Sequence, residues 1–191
     1  MFTLFIFYEA LTLCTFPLVT HAGTDKAKQA GRVYLGILIG TSIGFQLLAI
    51  VWTYTLTGTL DFREGGVFET PLSAGLLSVL FALFVFGIGK AALMPFHRWL
   101  PAAMVAPTPV SALLHAVAVV KAGVFTVLKV TIYLFGLDTL VASGASQWIA
   151  YVAGATILIA SLVAITKDNL KARLAYSTIS QLSYIVLGAM L

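Results

Sequence analysis

Long apolar runs alternate with short polar stretches along the whole chain. A helix that crosses a membrane needs about 20 predominantly apolar residues, and six runs reach or approach that length. The predicted spans are residues 2–20, 33–56, 72–96, 110–137, 148–165 and 174–191. The connections between them carry the Gly, Pro, Asp and Lys residues that are typical of turns. The pattern predicts an all-α fold, a polytopic transmembrane helical bundle that forms a single domain.

The composition is typical of a membrane protein. Hydrophobic residues make up 60% of the 191 residues, charged residues make up 9%, and the mean hydropathy is +1.03. A soluble domain carries about 25% charged residues. The net charge of +4 does not indicate nucleic-acid binding, because the basic residues are not gathered on one polar face. Cys14, the single cysteine, lies in an apolar run and gives no disulfide, metal or redox motif.

The distribution of basic residues predicts the orientation in the membrane. Cytoplasmic loops carry an excess of Lys and Arg. Six crossings place seven basic residues on one side, namely Lys26, Lys28, Arg32, Arg98, Lys167, Lys171 and Arg173. The other side holds Arg63 together with the acidic residues Asp61, Glu64, Glu69 and Asp138. We therefore expect a multi-pass protein of the cell inner membrane with both chain ends outside the cytoplasm. Apolar residues at both ends also predict an incomplete bundle, a fragment of a longer protein.

Three ionisable residues interrupt the apolar runs and are candidates for function. They are Glu9, Lys90 and Lys121. A charge at the centre of a bilayer costs roughly 2.5–3.5 kcal/mol on insertion scales, so such residues usually face a bundle interior and serve a function there. A carboxylate, an ammonium group and a nearby imidazole, His115, are the components of a proton path. Glu9 also has a structural alternative, a hydrogen bond to a neighbouring helix.

The surroundings of Lys90 predict a broken helix. Pro95 lacks a backbone donor and is expected to disturb the helix about one turn after the lysine, which frees carbonyl groups for water or an ion. The alternative is that Lys90 extends to the cytoplasmic surface. The neighbouring His97, Arg98 and Trp99 are interpreted as interfacial residues.

The fourth predicted span carries His115 and Lys121 and one further candidate, Lys129. Lys121 lies near its centre, too deep to reach the surface easily. His115 lies about 9 Å along the same helix toward the cytoplasm, and both a proton relay and a packing histidine remain open. Lys129, on the other side of Lys121, is a candidate exit group or a residue that extends to the surface. Motifs for phosphate loops, paired cysteines and metal ligands are absent, so no catalytic residue, cofactor site or metal site is predicted.

Three stretches of the chain resemble one known family. They are KAALMPFHRWLPAAMVAPTPVSALLHAVAVVKAGVFTVLKV from Lys90, FYEALTLCTFPLVT around Glu9, and KDNLKARLAYSTISQLSY after the fifth span. The family comprises the antiporter-like subunits of respiratory complex I, of Mrp-type cation/proton antiporters and of membrane-bound hydrogenases. The similarity covers most of the chain, with the segments in the family's order.

The resemblance implies a role for each candidate residue. Glu9 matches a glutamate on the family's fifth helix, and Lys90 matches the lysine of its broken seventh helix. His115 and Lys121 match positions on the eighth helix where members carry a bridging histidine or lysine. The second broken helix of the family's inverted repeat is missing here, which leaves independent transport open.

The resemblance also implies the partners and the activity. The favoured function is proton translocation, with Na⁺ as a further candidate ion, by one subunit among other membrane subunits. The lysine in VVKAGV favours a Mrp-type antiporter component, and the alternative is a complex I chain that couples NADH:quinone oxidoreduction to pumping. Whether the assembly is an enzyme stays open at this point. An alternative from another functional class is a purely structural membrane subunit that moves no ions. A stand-alone redox enzyme is the weakest of the alternatives.

Overall fold

The computed structural model describes residues 1–68 and 72–191, and Glu69 of the predicted acidic side lies outside them. The all-α prediction is confirmed. The helices of the described part are α1 (Phe2–Thr20), α2 (Asp25–Thr57), α3 (Ala74–Gly87), α4 (Trp99–Ala103), α5 (Thr108–Phe135), α6 (Leu137–Ser143), α7 (Gln147–Ile165) and α8 (Leu170–Met190). Helix α2 contains a π-helical turn at Ser42–Leu47, and α5 contains two, at Leu113–Val117 and Thr131–Phe135.

Four of the described helices are long and apolar enough to cross a membrane: α1, α2, α5 and α7. Helix α3 is apolar but has only 14 residues. Helix α8 coincides with the sixth predicted span and begins with a polar turn that contains Lys171 and Arg173. The chain is therefore a multi-pass helical segment, and the count of six crossings stays a prediction.

Side-chain caps fix the starts of three helices. The side chain of Thr24 accepts a hydrogen bond from the backbone N–H of Ala27 at the start of α2. Ser73 does the same for α3, and Asn169 accepts from Lys171 at the start of α8. Each cap satisfies a backbone donor that has no partner within its own helix. The connections before these helices therefore define where each new helix can begin.

The connections gather at two opposite ends of the bundle. At one end, the loop after α2 bonds to the end of α5: the N–H of Arg63 donates to the carbonyl of Tyr133, and that of Val67 donates to Leu134. At the other end, the Lys171 ammonium donates to the carbonyl of Ala106 at 3.0 Å. Connections at alternate ends of the bundle are what a chain that crosses a membrane repeatedly requires. Which end faces the cytoplasm stays a prediction.

The chain after α3 forms a non-helical interruption in the bundle core. Helix α3 ends at Gly87, and a single 3₁₀ turn follows at Gly89–Ala91. Ala92 then adopts a left-handed conformation, with φ of 56°. A broken helix near Pro95 is thus confirmed, and the break begins earlier in the chain than expected. The helix ends before Lys90, which therefore lies inside the interruption (residues 88–98, between α3 and α4).

Glycines explain why the break occurs where it does. A Cβ atom on Gly87 would collide with the backbone of Gln46 in the π-helical turn of α2. A Cβ atom on Gly123 of α5 would collide with the backbone of Lys90 and Ala91. Close approach of two backbones requires residues without a side chain at these points. Helices α2 and α5 therefore hold the interruption from two sides.

We expect Gly123→Ala to destabilise the bundle, because the added methyl group would push α5 away from Lys90. Overpacking of this kind typically costs about 1–3 kcal/mol. Gly154→Ala on α7 is the matched control, since its Cβ atom would meet open space. Thermal unfolding of the purified membrane protein measures both variants. Equal transition temperatures for Gly123→Ala and wild type would contradict the packing described here.

Candidate functional site

Lys90 is completely buried. Its ammonium group donates a hydrogen bond of 2.6 Å to the backbone carbonyl of Tyr8 on α1, and it lies 3.7 Å from Glu9 Oε1. The alternative in which Lys90 extends to the membrane surface does not describe this structure. A charged amine without water requires such polar ligands, because the loss of hydration is otherwise too costly. Glu9 and Lys90, predicted as separate candidates, are brought together.

Tyr8 is the residue that analysis of the sequence missed. Its ring centre lies 3.1 Å from Lys90 Nζ, and its phenolic oxygen accepts a 3.1 Å hydrogen bond from the backbone N–H of Lys90. A tyrosine in an apolar run normally indicates packing. Its position next to Glu9 is the one signal in the sequence that could have identified it. In the structure, carbonyl, ring and phenol of this one residue all contact Lys90.

Glu9 faces the ammonium from a less enclosed position. Its side chain is 17% exposed, whereas that of Lys90 is fully buried. Oε1 of Glu9 makes no hydrogen bond among the described residues, and its distance from Lys90 Nζ exceeds hydrogen-bond range. The contact is therefore electrostatic, with room for a shorter pair or for separation. A carboxylate that is bound only by charge can change its partner more readily than one fixed by several hydrogen bonds.

Trp99 supports the interruption from behind. The indole N–H donates a 2.9 Å hydrogen bond to the carbonyl of Gly89, and the ring packs edge-on against Tyr34 at 5.6 Å. Trp99 has no exposed surface, although Arg98 next to it is exposed. The interpretation of Trp99 as an interfacial residue is therefore wrong. Its indole N–H is a second donor to the Gly89 carbonyl, which also accepts a 3.0 Å hydrogen bond from the backbone N–H of Ala92.

His115 joins three elements of the bundle. Its Nδ1 lies 3.2 Å from Thr178 Oγ1 on α8, and its Nε2 lies 3.0 Å from the sulfur of Met104, just after α4. The Thr178 hydroxyl donates to the carbonyl of Leu174, so its oxygen is left to accept from Nδ1–H. The Met104 sulfur can also accept a hydrogen bond, so which ring nitrogen of His115 donates depends on its tautomer. Among the described residues, no group of three or more His, Cys, Asp and Glu side chains can hold a metal ion.

Lys121 lies on the opposite face of α5 from Lys90. Gly123, two residues further on, contacts the Lys90 backbone, while the Lys121 side chain is exposed. Lys121 and His115 line one open cavity of about 400 Å³, with Ser177, Thr178 and Gln181 of α8 as its polar residues. The site therefore has two parts: the buried pair (Glu9 and Lys90) and the α5–α8 cavity (His115 and Lys121).

Lys129 lies apart from both. Its ammonium is surrounded by the rings of Phe62, Phe125 and Tyr133, at 5.1–5.8 Å from their centres. Cation–π contacts of this kind stabilise a half-buried lysine without an acidic partner. Its position, near the end of α5 that bonds to the loop after α2, is compatible with both of its predicted roles.

Comparisons with known proteins identify the family. The model of the transmembrane region of NADH:quinone oxidoreductase and Mrp antiporter subunits matches residues 1–191. NAD(P)H-quinone oxidoreductase subunit 5 of the Ipomoea purpurea chloroplast is 35% identical over 97% of this chain, and chain 5 of Synechocystis is 33% identical over 96%. The chain spans only 26% and 27% of those two proteins.

Solved structures show the same arrangement. A chain of the archaeal membrane-bound sulfane sulfur reductase superposes over the whole chain with a TM-score of 0.85 at 28% identity. A chain of the Mrp complex from Dietzia gives 0.82 at 32% identity, and one of Thermus thermophilus complex I gives 0.76 at 26%. This chain covers 39%, 20% and 39% of those chains, respectively. With a family model matched along its full length and a fold shared with three respiratory or antiporter complexes, the chain belongs to the NADH:quinone oxidoreductase/Mrp antiporter transmembrane family.

Proposed function

We propose that this chain is the proton-translocating region of one subunit in a multisubunit complex of the cell inner membrane, with both chain ends outside the cytoplasm. The observation that carries the proposal is the fully buried Lys90 ammonium, 3.7 Å from a carboxylate, inside a broken helix. A buried ionisable pair of this kind is expensive and indicates a function in ion movement. The names of the matching relatives support the same activity.

The buried pair acts as a charge switch in this proposal. Two unit charges about 4 Å apart attract each other by roughly 4 kcal/mol at an effective dielectric constant of 20. While Glu9 stays near Lys90, that attraction favours the ammonium form. Movement of Glu9 away removes the attraction, and the burial of Lys90 then favours release of the proton. A neighbouring subunit that presents its own charge near Glu9 would drive this step.

The α5–α8 cavity receives the proton in the next step. Gly123 holds α5 directly against Lys90, so the interruption and the cavity share one helix. His115 and Lys121 are the basic groups of the cavity, and the hydroxyl and amide groups of α8 provide partners for water. A cavity of this size with polar groups in its wall has room for several water molecules. Lys129 is the proposed exit group at the far end of α5.

Two assemblies are compatible with this mechanism. A monovalent cation/proton antiporter is favoured by the match to a Mrp chain at 32% identity, above the 26% for the complex I chain. Coupling to quinone reduction is the second candidate, favoured by the names of the curated relatives. Sodium resistance conferred on an antiporter-deficient host would support the first, and loss of quinone reductase activity from membranes on deletion would support the second.

We predict that Lys90→Ala and Lys121→Ala each reduce proton translocation by the intact complex at least tenfold, because each removes a group that carries the proton. Lys28→Ala is the control, since that lysine is 63% exposed beside Asp25. Proton uptake by reconstituted vesicles gives the rate, and native gel electrophoresis gives assembly. Wild-type rates in the lysine variants would refute the proposal, and failure to assemble would favour a structural subunit instead.

We predict a smaller effect for Tyr8→Phe, which keeps the ring near the Lys90 ammonium but leaves the backbone N–H of Lys90 without its acceptor. A buried donor without a partner costs roughly 1–3 kcal/mol, so the thermal stability of the complex should fall. Translocation should fall less than in Lys90→Ala.

Tyr151→Phe, at a tyrosine of α7 that is 81% exposed, is the matched control for Tyr8→Phe and should have no effect. Unchanged stability in Tyr8→Phe would show that the phenol does not position Lys90.

A further inference from the structure

Gln46 is a fully buried polar residue that the proposed mechanism leaves unused. It lies in the π-helical turn of α2, Ser42–Leu47, and has no exposed surface. Neither its amide nitrogen nor its amide oxygen has a hydrogen-bond partner among the described residues. Turns of this kind inside α-helices occur frequently at functional sites, because they re-aim side chains. We therefore expect the Gln46 side chain to bind a ligand.

The chemistry of the orphan amide defines that ligand. An amide offers two donors and one acceptor with two lone pairs, and leaving each kind unpaired costs roughly 1–3 kcal/mol. Buried polar groups in native proteins are almost always satisfied, by protein atoms or by ordered water. The ligand must accept from the nitrogen and donate to the oxygen, and it must fit inside a packed bundle. Water meets all of these requirements.

Two hydroxyl groups extend the polar surface beside Gln46. Thr41 and Ser42 are both buried, and their hydroxyls donate to carbonyl groups one turn earlier on α2. Each oxygen therefore keeps capacity to accept a hydrogen bond. With the Gln46 amide they form a group of three adjacent polar side chains, which we call the α2 bulge.

The α2 bulge lies directly against the interruption that holds Lys90. A Cβ atom on Gly87 would collide with Gln46, and one on Gly89 would collide with the Thr41 hydroxyl. Lys90 is the residue after Gly89, and three residues of extended chain span at most roughly 11 Å. The bulge is therefore within about that distance of the Lys90 backbone, on the α2 side. Gly123 of α5 contacts the Lys90 backbone from another side.

We propose that the α2 bulge binds water at Gln46 and provides Lys90 with a second hydrated branch, separate from the α5–α8 cavity. This role rests on the proposed function of Lys90. The water site itself rests on the orphan amide alone. In this arrangement, the broken helix is hydrated from both sides, and the buried ammonium can exchange its proton toward α2 as well as toward α5.

Gln46→Met tests the proposal because it replaces the amide with an apolar group of similar size. A dry, unpaired amide would make this change neutral or stabilising, with unaltered translocation. A water-binding amide on the proton route predicts at least a fivefold lower translocation rate in the assembled complex. Thr53→Val is the control, since Thr53 is equally buried on α2 but lies outside the bulge, with its hydroxyl bound to Ala49.

A high-resolution structure of the intact complex provides the second measurement. We expect density for a water molecule within hydrogen-bond distance of the Gln46 amide in wild type and none at that position in Gln46→Met. A dry amide together with wild-type translocation in Gln46→Met would overturn the inference while leaving the proposed function in place. Wild-type translocation in Lys90→Ala would overturn the proposed function, and the water density would then decide the site by itself.

Discussion

The buried ammonium of Lys90 is the constraint on which the surrounding structure depends. A regular helix cannot surround it with ligands, because helical carbonyls are already paired along the axis. The interruption solves this problem: the Lys90 N–H bonds to the Tyr8 phenol, and the side chain reaches the Tyr8 carbonyl and Glu9. The left-handed conformation of Ala92, which is unfavourable for a residue with a side chain, is a cost of this geometry.

The same interruption links the elements that a transport cycle must couple. Helix α1 contacts it through Tyr8, α2 through Gln46 and Thr41, and α5 through Gly123. These contacts are between backbones or fully buried groups, so none of the three helices can shift without a response from the others. Packed interfaces of this kind change between discrete arrangements rather than deforming continuously. In the proposed mechanism, a displacement of Glu9 on α1 would therefore be transmitted through the interruption to α5, where His115 and Lys121 lie.

The sequence predicts the fold class well, because spans in a membrane require long apolar runs. It also marks Glu9, Lys90 and Lys121 as candidates, because a charge inside such a run is costly. It does not predict features that depend on how helices rotate against one another. The charged neighbour Arg98 makes Trp99 look interfacial in the sequence, although its side chain is buried. The end of α3 at Gly87 lies within an apolar run, so no change in hydropathy marks the start of the break. Tyr8 and Gln46 have no distinguishing local pattern, because polar residues of these types also occur in ordinary packing.

Lys90, in the interruption, and Lys121, on α5, lie on opposite sides of that helix, and this separation determines how strongly they can interact. A helix is roughly 10–12 Å across with its side chains, and at that separation two charges interact by about 1.5 kcal/mol at an effective dielectric constant of 20. That energy changes a protonation equilibrium roughly tenfold. The direct Glu9–Lys90 contact is worth more than twice as much. In the proposed mechanism, the contact with Glu9 is therefore the stronger electrostatic influence on Lys90, and the interaction with Lys121 across α5 is the weaker one.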